Sequence, residues 1–343
     1  MKSSLLILLS LVIITTGCKN EAAPDVSSIK VSTAIIRTEQ DLQRASDIAA
    51  ITALTFKYPA FYKIYMDEIL GFKGTKPDSQ IIDLQSFIKD TLVNDIIIKT
   101  NHKYPDFSKI KSETDQMFRF LTYYFPDKSK HLPDIYTFVS EFGYQIFIFE
   151  DDSGRDGIGL GLDMFLHPDV DYKMIDPDNT NFSDYVTRSW NKDHIVKKIA
   201  DLYITDILGD APGHRMIDQM VHNGKALYLT KLLMPATHDS VITEYPLPKL
   251  EWCENNELEM WSFFLDNKLF YESNPAKIGK YLNPSPDSPE MPPLAPGRTA
   301  NYMGWQIVKA YMQRYPDTTP AELIALNDAQ LFLEKSKYKP SRK

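Results

Sequence analysis

The sequence predicts an α+β fold that is mostly helical, with a small antiparallel sheet flanked by helices. Three observations carry this reading. Apolar residues recur at helical spacing from Asp41 to Phe125 and again beyond Trp190. Between those stretches, "IYTFVSEFGYQIFIFEDDSGRDGIGLGLDMFL" (135–166) is rich in β-branched and aromatic residues and broken by turn signals. No repeat of the 34-residue tetratricopeptide kind occurs, which argues against a helical solenoid.

Taken in order, "IKVSTAII" (29–36) alternates as a strand does. From Asp41 the period changes, with Leu42, Ala45, Ile48, Ala49 and Ile51 falling on one helical stripe, and "YPAFYKIYMDEIL" begins a second helix after Pro59. "DLQSFIKDTLVNDIIIKT" and "SETDQMFRFLTYYF" fit amphipathic helices on a common core. Three antiparallel strands are expected at 135–141, 143–149 and 157–165, joined by turns at Gly143 and "DDSGRDG" and completed by the early strand. Gly157, Gly159 and Gly161 leave one face of the last strand bare, so that a backbone or a ligand can come close. No phosphate-loop pattern is completed around them, and close packing of the sheet is the expectation. Helices are expected at 192–208, 214–234, 251–270, 301–315 and 320–335. The intervening "NPSPDSPEMPPLAPGR" (283–298) holds six prolines and reads as an extended surface segment, either a groove-crossing loop or a passive connector.

At 343 residues and 43% hydrophobic content the chain can bury a sizeable core. Its formal net charge of −8, with basic residues clustered only in the terminal "KSKYKPSRK" (335–343), repels a phosphate backbone, so no nucleic-acid partner is expected. Lys2 and the apolar run 5–14 form a secretory signal, since a membrane-spanning helix needs about 20 apolar residues. "TTGC" (15–18) resembles the lipobox of bacterial lipoproteins, although Thr15 stands where Leu is commonest. That resemblance implies removal of residues 1–17 and acylation of Cys18, palmitate included. Several acyl chains on one residue suffice for stable anchoring in a membrane. Residues 18–28 then form a lipidated tether. Cys253 is the one remaining cysteine, which precludes an intrachain disulfide once Cys18 is lipidated and suits a small buried hydrophobe.

"RMIDQMVHNGKALYLTKLLMP" (215–235) has the look of the second helix of a zinc peptidase site, yet no H-E-x-x-H motif precedes it. In "HIVKK" (194–198), Ile195 replaces the base and Lys198 the second ligand, and an ammonium offers a metal no lone pair. His214 and His222 lie about 12 Å apart along one helix, too far for a tetrahedral site. A fold-back uniting His194 and His222 with Glu257 or Glu259 is the remaining metal arrangement, and isolated structural histidines are preferred to it. No G-x-S-x-G elbow is present. Asp151 and Asp152 are expected to be solvated in a turn. Trp252 and Trp261, flanking Glu257 on one helix, are expected in the core; with Arg298 and Tyr302 they are also the candidates for a peptide or glycan groove. No metal and no cofactor beyond the lipid is expected.

"FLTYYFPDKSKHLPDIYTFVSEFGYQIFIFEDDSGRDGIGLGLDMFL", "KLEWCENNELEMWSFFLDNKLFYES" and "APGRTANYMGWQIVKAYM" together resemble the gliding-motility lipoprotein GldB family of Bacteroidetes. The likeness runs through a single globular domain, 29–340, with Glu141 standing where Gly is expected after Ser140. The family in turn is distantly similar to zincin-like predicted proteases, in the "MIDQMVHNGKALY" and "YMGWQIVKAYM" helices. In those proteases an acid sits near the position of His222 or Asn223. A degenerate zincin-like scaffold is therefore implied, with Gly224 and Gly304 letting helices pack closely. The resemblance also implies an envelope lipoprotein facing the periplasm, on the inner or the outer membrane. It would act as a non-catalytic accessory to gliding and to the type IX secretion machinery, with other envelope proteins as partners. The alternatives are a periplasmic zinc-dependent hydrolase and a peptide- or glycan-binding lipoprotein.

Overall fold

The computed structural model describes residues 23–72 and 76–340. The signal segment, Cys18 and residues 19–22 of the tether lie outside the described residues. The chain enters through β1 (Ile35–Arg37) and the helices α1 (Thr38–Arg44), α2 (Ile48–Lys57), α3 (Pro59–Ile64), α4 (Pro77–Lys89), α5 (Thr91–Lys103) and α6 (Ser108–Tyr124). Strands β2 (Asp134–Phe138), β3 (Ile146–Glu150) and β4 (Asp156–Gly161) follow. Helices then return: α7 (Asp184–Thr187), α8 (Ile195–Leu208), α9 (Met216–Leu233), α10 (Asp239–Thr243), α11 (Leu247–Asn255) and α12 (Glu257–Asp266). The last four are α13 (Pro275–Leu282), α14 (Thr299–Arg314), α15 (Pro320–Ala325) and α16 (Ala329–Ser336). The fold is mostly helical with a small sheet, an α+β arrangement.

The sheet is mixed, not antiparallel. Its order is β1-β2-β4-β3: β2 lies parallel to both β1 and β4, and only β3 runs antiparallel to β4. The expected meander is overturned because the turn after β2 does not fold the chain back onto β2; β3 instead takes the far edge, leaving the place beside β2 to β4. The early strand is also shorter than expected, three residues at the end of the alternating stretch.

Period-two alternation sends the sheet's faces into two different cores. Ile135, Ile158 and Leu160 face the large core built by α6, α8, α9 and α14. Tyr136, Phe138 and Phe149 face a second, aromatic core with Phe61, Tyr62 and Tyr65 of the N-terminal helices. Two glycines of β4 lie under rings, since a side chain at Gly157 would strike the Phe149 ring and one at Gly159 the Phe147 ring, while one at Gly161 would strike the Tyr144 carbonyl. Both aromatics sit directly opposite in register, Phe147 to Gly159 and Phe149 to Gly157. The bare face is thus filled by the sheet's own neighbours.

Three further expectations change. The stretch 320–335 is two helices, because α15 ends at Ala325 and Asp328 caps the start of α16 at Ala329. The stretch 251–270 is not one helix: α11 ends at Asn255 and α12 starts at Glu257, since Asn256 leaves helical geometry at φ −123° and ψ 27°. Trp252 and Trp261 therefore stand on separate helices. Asp151 is not solvated but buried, its carboxylate accepting from the backbone of Ser153 and Arg155 and pairing with the Arg155 guanidinium at 3.1 Å. It ties the tip of the β3–β4 hairpin. The neighbouring Asp152 accepts from the Ala60 N–H at 2.9 Å, docking α3 beside the same turn.

The helices α9 and α14 form the spine of the large core. A side chain on Gly304 would overlap the Met220 carbonyl, and one on Gly224 would overlap the Gly304 carbonyl, so the two backbones touch where both residues lack a Cβ. Beside that contact Asn223 donates to Asn301 at 2.9 Å.

Candidate functional site

The densest buried charge in the C-terminal half gathers around Glu244, immediately after α10. Its carboxylate lies 2.9 Å from Lys197, 2.6 Å from Lys198 and 3.3 Å from Arg298. Lys197 also pairs with Asp201 at 2.6 Å, one turn along α8. The Arg298 guanidinium donates in addition to the Thr243 carbonyl at 3.1 Å. Three elements are clasped by one carboxylate: α8 supplies two lysines, Glu244 directly follows α10, and Arg298 precedes α14. Glu244 and Arg298 both hold left-handed backbone, φ 57° and 61°, which costs about 1 kcal/mol or more each for residues with a Cβ. The ion cluster fixes what the backbone alone disfavours.

Burial pushes the Glu244 carboxyl up, but Lys197, Lys198 and Arg298 outweigh it and hold the group well below its ordinary value. Burial likewise disfavours charge on Lys197, and there Asp201 and Glu244 win, keeping it an ammonium. The outcome is an ionised carboxylate paired with three cations, two on Oε1 and one on Oε2.

Around this cluster lie His194 and Arg188. His194 sits at the start of α8, its Nδ1 2.9 Å from the Asn191 side-chain oxygen. That oxygen also accepts from the Asp193 N–H, so the imidazole donates at Nδ1 and its other nitrogen carries no proton when neutral. Burial lowers its pKa to about 4, so the ring is uncharged at neutral pH. Arg188, just past α7, is pushed down by burial and by the like charge of Arg298. Its Nε is sealed from solvent without an acceptor. Arg188, His194, Glu244 and Tyr245 line a cleft of about 280 Å³.

The metal candidates occupy separate environments. His194 faces the Glu244 cluster. His222, on α9, lines a narrow recess with Asp210, Asp218 and Lys225. Glu257 accepts from the hydroxyls of Tyr338 at 2.9 Å and Tyr302 at 3.4 Å. His214 and Glu259 are exposed. Among the described residues no three His, Cys, Asp or Glu side chains converge as metal ligands would.

The groove candidates also divide. Trp252 and Trp261 are half-buried against the large core, Trp261 with its ring 4.8 Å from that of Phe270 and 5.5 Å from that of Tyr338. Arg298 and Tyr302 share a slot of about 20 Å³ with Tyr245, room for a water and no more. Cys253 is a buried free thiol whose pKa burial raises well above the ordinary thiol range, as a packing residue rather than a nucleophile requires.

A family model described as gliding motility protein GldB matches residues 19–340. The chain belongs to the GldB family. No curated protein and no solved structure matches it, and the zincin-like likeness finds no support there. In this GldB chain the residues that sequence reasoning passed over are Glu244, Lys197 and Arg188. The only signal for them was Lys198 beside Lys197 in "HIVKK", two adjacent cations on a helix that otherwise faces the core. Their partner carboxylate lies 47 residues from Lys197, beyond the reach of spacing arguments.

Proposed function

We propose that this chain is a membrane-anchored envelope lipoprotein that supports gliding motility and the associated type IX secretion machinery by binding other envelope components, without catalysing a reaction. Family membership and the lipobox at Cys18 support the place and the process. The observation that carries the non-catalytic part is the state of Glu244. A general base needs a carboxylate that holds a proton readily, whereas Lys197, Lys198 and Arg298 pair with this one and hold its pKa well below the ordinary value, and the same three cations would repel a metal ion. Lys198, at the place where "HIVKK" would need a second imidazole, is one of those three cations.

Deletion of the gene, scored by colony spreading and by protein secretion, tests the reading. Both processes should fail and should return with the parent gene. A Cys18→Ala allele should leave the protein unanchored and restore neither. Intact spreading together with intact secretion in the deletion strain would overturn the proposal.

A further inference from the structure

Arg188 stands at the junction of two clefts. One, of about 280 Å³, is the cleft shared with His194 and Glu244. The other, of about 690 Å³, is lined by Lys173, Asp171, Asp184, Tyr185 and Tyr172 among others. The larger lies within, and the smaller just below, the roughly 300–1,000 Å³ typical of sites that enclose a small ligand. Of the cations gathered here, Lys197, Lys198 and Arg298 each hold a carboxylate. Arg188 makes no side-chain hydrogen bond and no ion pair among the described residues. Since only its Nε is both buried and unpartnered, its two terminal amino groups open onto the clefts. A half-buried guanidinium facing the like charge of Arg298, with no ion pair of its own and only the longer-range pull of Glu244, is a costly arrangement that an incoming anion relieves.

The surroundings narrow the anion. Asp171 and Asp184 outnumber Lys173 in the larger cleft, and Asp193 lies in the smaller, so a second negative charge is opposed and a monoanion is favoured over a phosphate dianion. A carboxylate offers one charge and two oxygens, which match the two terminal amino groups of one guanidinium. Arg188 is the one residue that lines both clefts. A chain running from one into the other would present a side chain at the junction, whereas a chain terminus would fill a single cleft. We propose that Arg188 binds the side-chain carboxylate of an Asp or Glu in a peptide segment that lies across both clefts. The inference rests on the binding role proposed above and supplies its recognition chemistry.

Calorimetric titration of the full-length chain in detergent micelles tests it, with acetyl-Ala-Ala-Glu-Ala-Ala-amide as the probe. The Gln counterpart, acetylated pentaalanine as free acid, and inorganic phosphate are the other ligands. Saturable binding of the Glu peptide alone is expected, weakened about tenfold or more by Arg188→Gln and less by Arg188→Lys. Because Arg188 holds no partner, the Gln variant should unfold at or above the parent's temperature. Equal binding of the Gln peptide, binding of only the free acid or only phosphate, or an Arg188→Gln variant that folds and binds unchanged would each overturn the proposal. These outcomes are independent of the deletion phenotype, so the ligand and the cellular role fail separately.

Discussion

Glu244 holds a charge that burial opposes and three cations enforce, and its removal should be felt throughout the C-terminal half. Glu244→Gln leaves Lys197, Lys198 and Arg298 crowded without their common counter-ion, and a loss of about 3–5 kcal/mol in denaturant unfolding at neutral pH is expected. Its folded-state pKa is depressed, so its stabilisation is present above the ordinary value of 4.5 and fades as pH falls through the lower folded value. The gap between parent and variant should therefore narrow in acid. Two other groups act over about pH 4–6 with signs opposite to each other. His194, lowered by burial to about 4, costs stability as pH falls from 6.5 toward 4, because the unfolded ring takes the proton first. Asp163 is fully buried with one carboxylate oxygen unpartnered, and burial raises its pKa to about 6 against the N–H groups of Phe142 and Ser140. Its contribution is full below 3.8 and lost as pH rises through about 6. Over about pH 4–6 the two oppose each other, so stability, read by unfolding against pH, should rise more steeply with pH in Asp163→Asn and less steeply in His194→Gln than in the parent; unchanged curves in both would show that these groups do not carry the dependence.

At the scale of elements, the α9–α14 contact and the loop after β2 make the sharpest demands on sequence. Gly224→Ala or Gly304→Ala forces two touching backbones apart and should cost about 3 kcal/mol, read as a lower unfolding temperature. By contrast Gly154→Ala, in open space at φ 76°, should cost only about 1 kcal/mol. Glu141 and Phe142 hold positive φ, 52° and 65°, with their loop pinned by the Asp163 carboxylate. Glu141→Gly should raise stability by about 1 kcal/mol, since glycine adopts that backbone without a Cβ clash; a variant less stable than the parent would contradict the strain. The departure from expected Gly at 141 was visible in the sequence, and so were the helical periods and the glycine pair, because each is a local signal. Strand order was not. The choice of β4 over β3 as the neighbour of β2 depends on contacts across the whole sheet, which alternation along one strand does not encode.

For the whole molecule, the sheet separates an aromatic N-terminal core from a larger C-terminal one, and the ion cluster lies on the side of the larger. Among the described residues no helix is long and apolar enough to cross a membrane. Of the candidate site, His194 and Arg298 were legible as chemically suggestive residues, whereas Glu244, which brings Arg298 together with α8, was not. Its meaning is set by a clasp between segments that are distant in the chain. The central claim is that this carboxylate serves as a structural counter-ion in a binding protein and not as part of a hydrolytic centre. Metal content and peptide turnover of the full-length chain after equilibration with zinc test this most directly. The account predicts far less than one tightly held zinc per chain and no turnover; one zinc per chain, lost together with peptide hydrolysis in His194→Ala and Glu244→Ala, would contradict it.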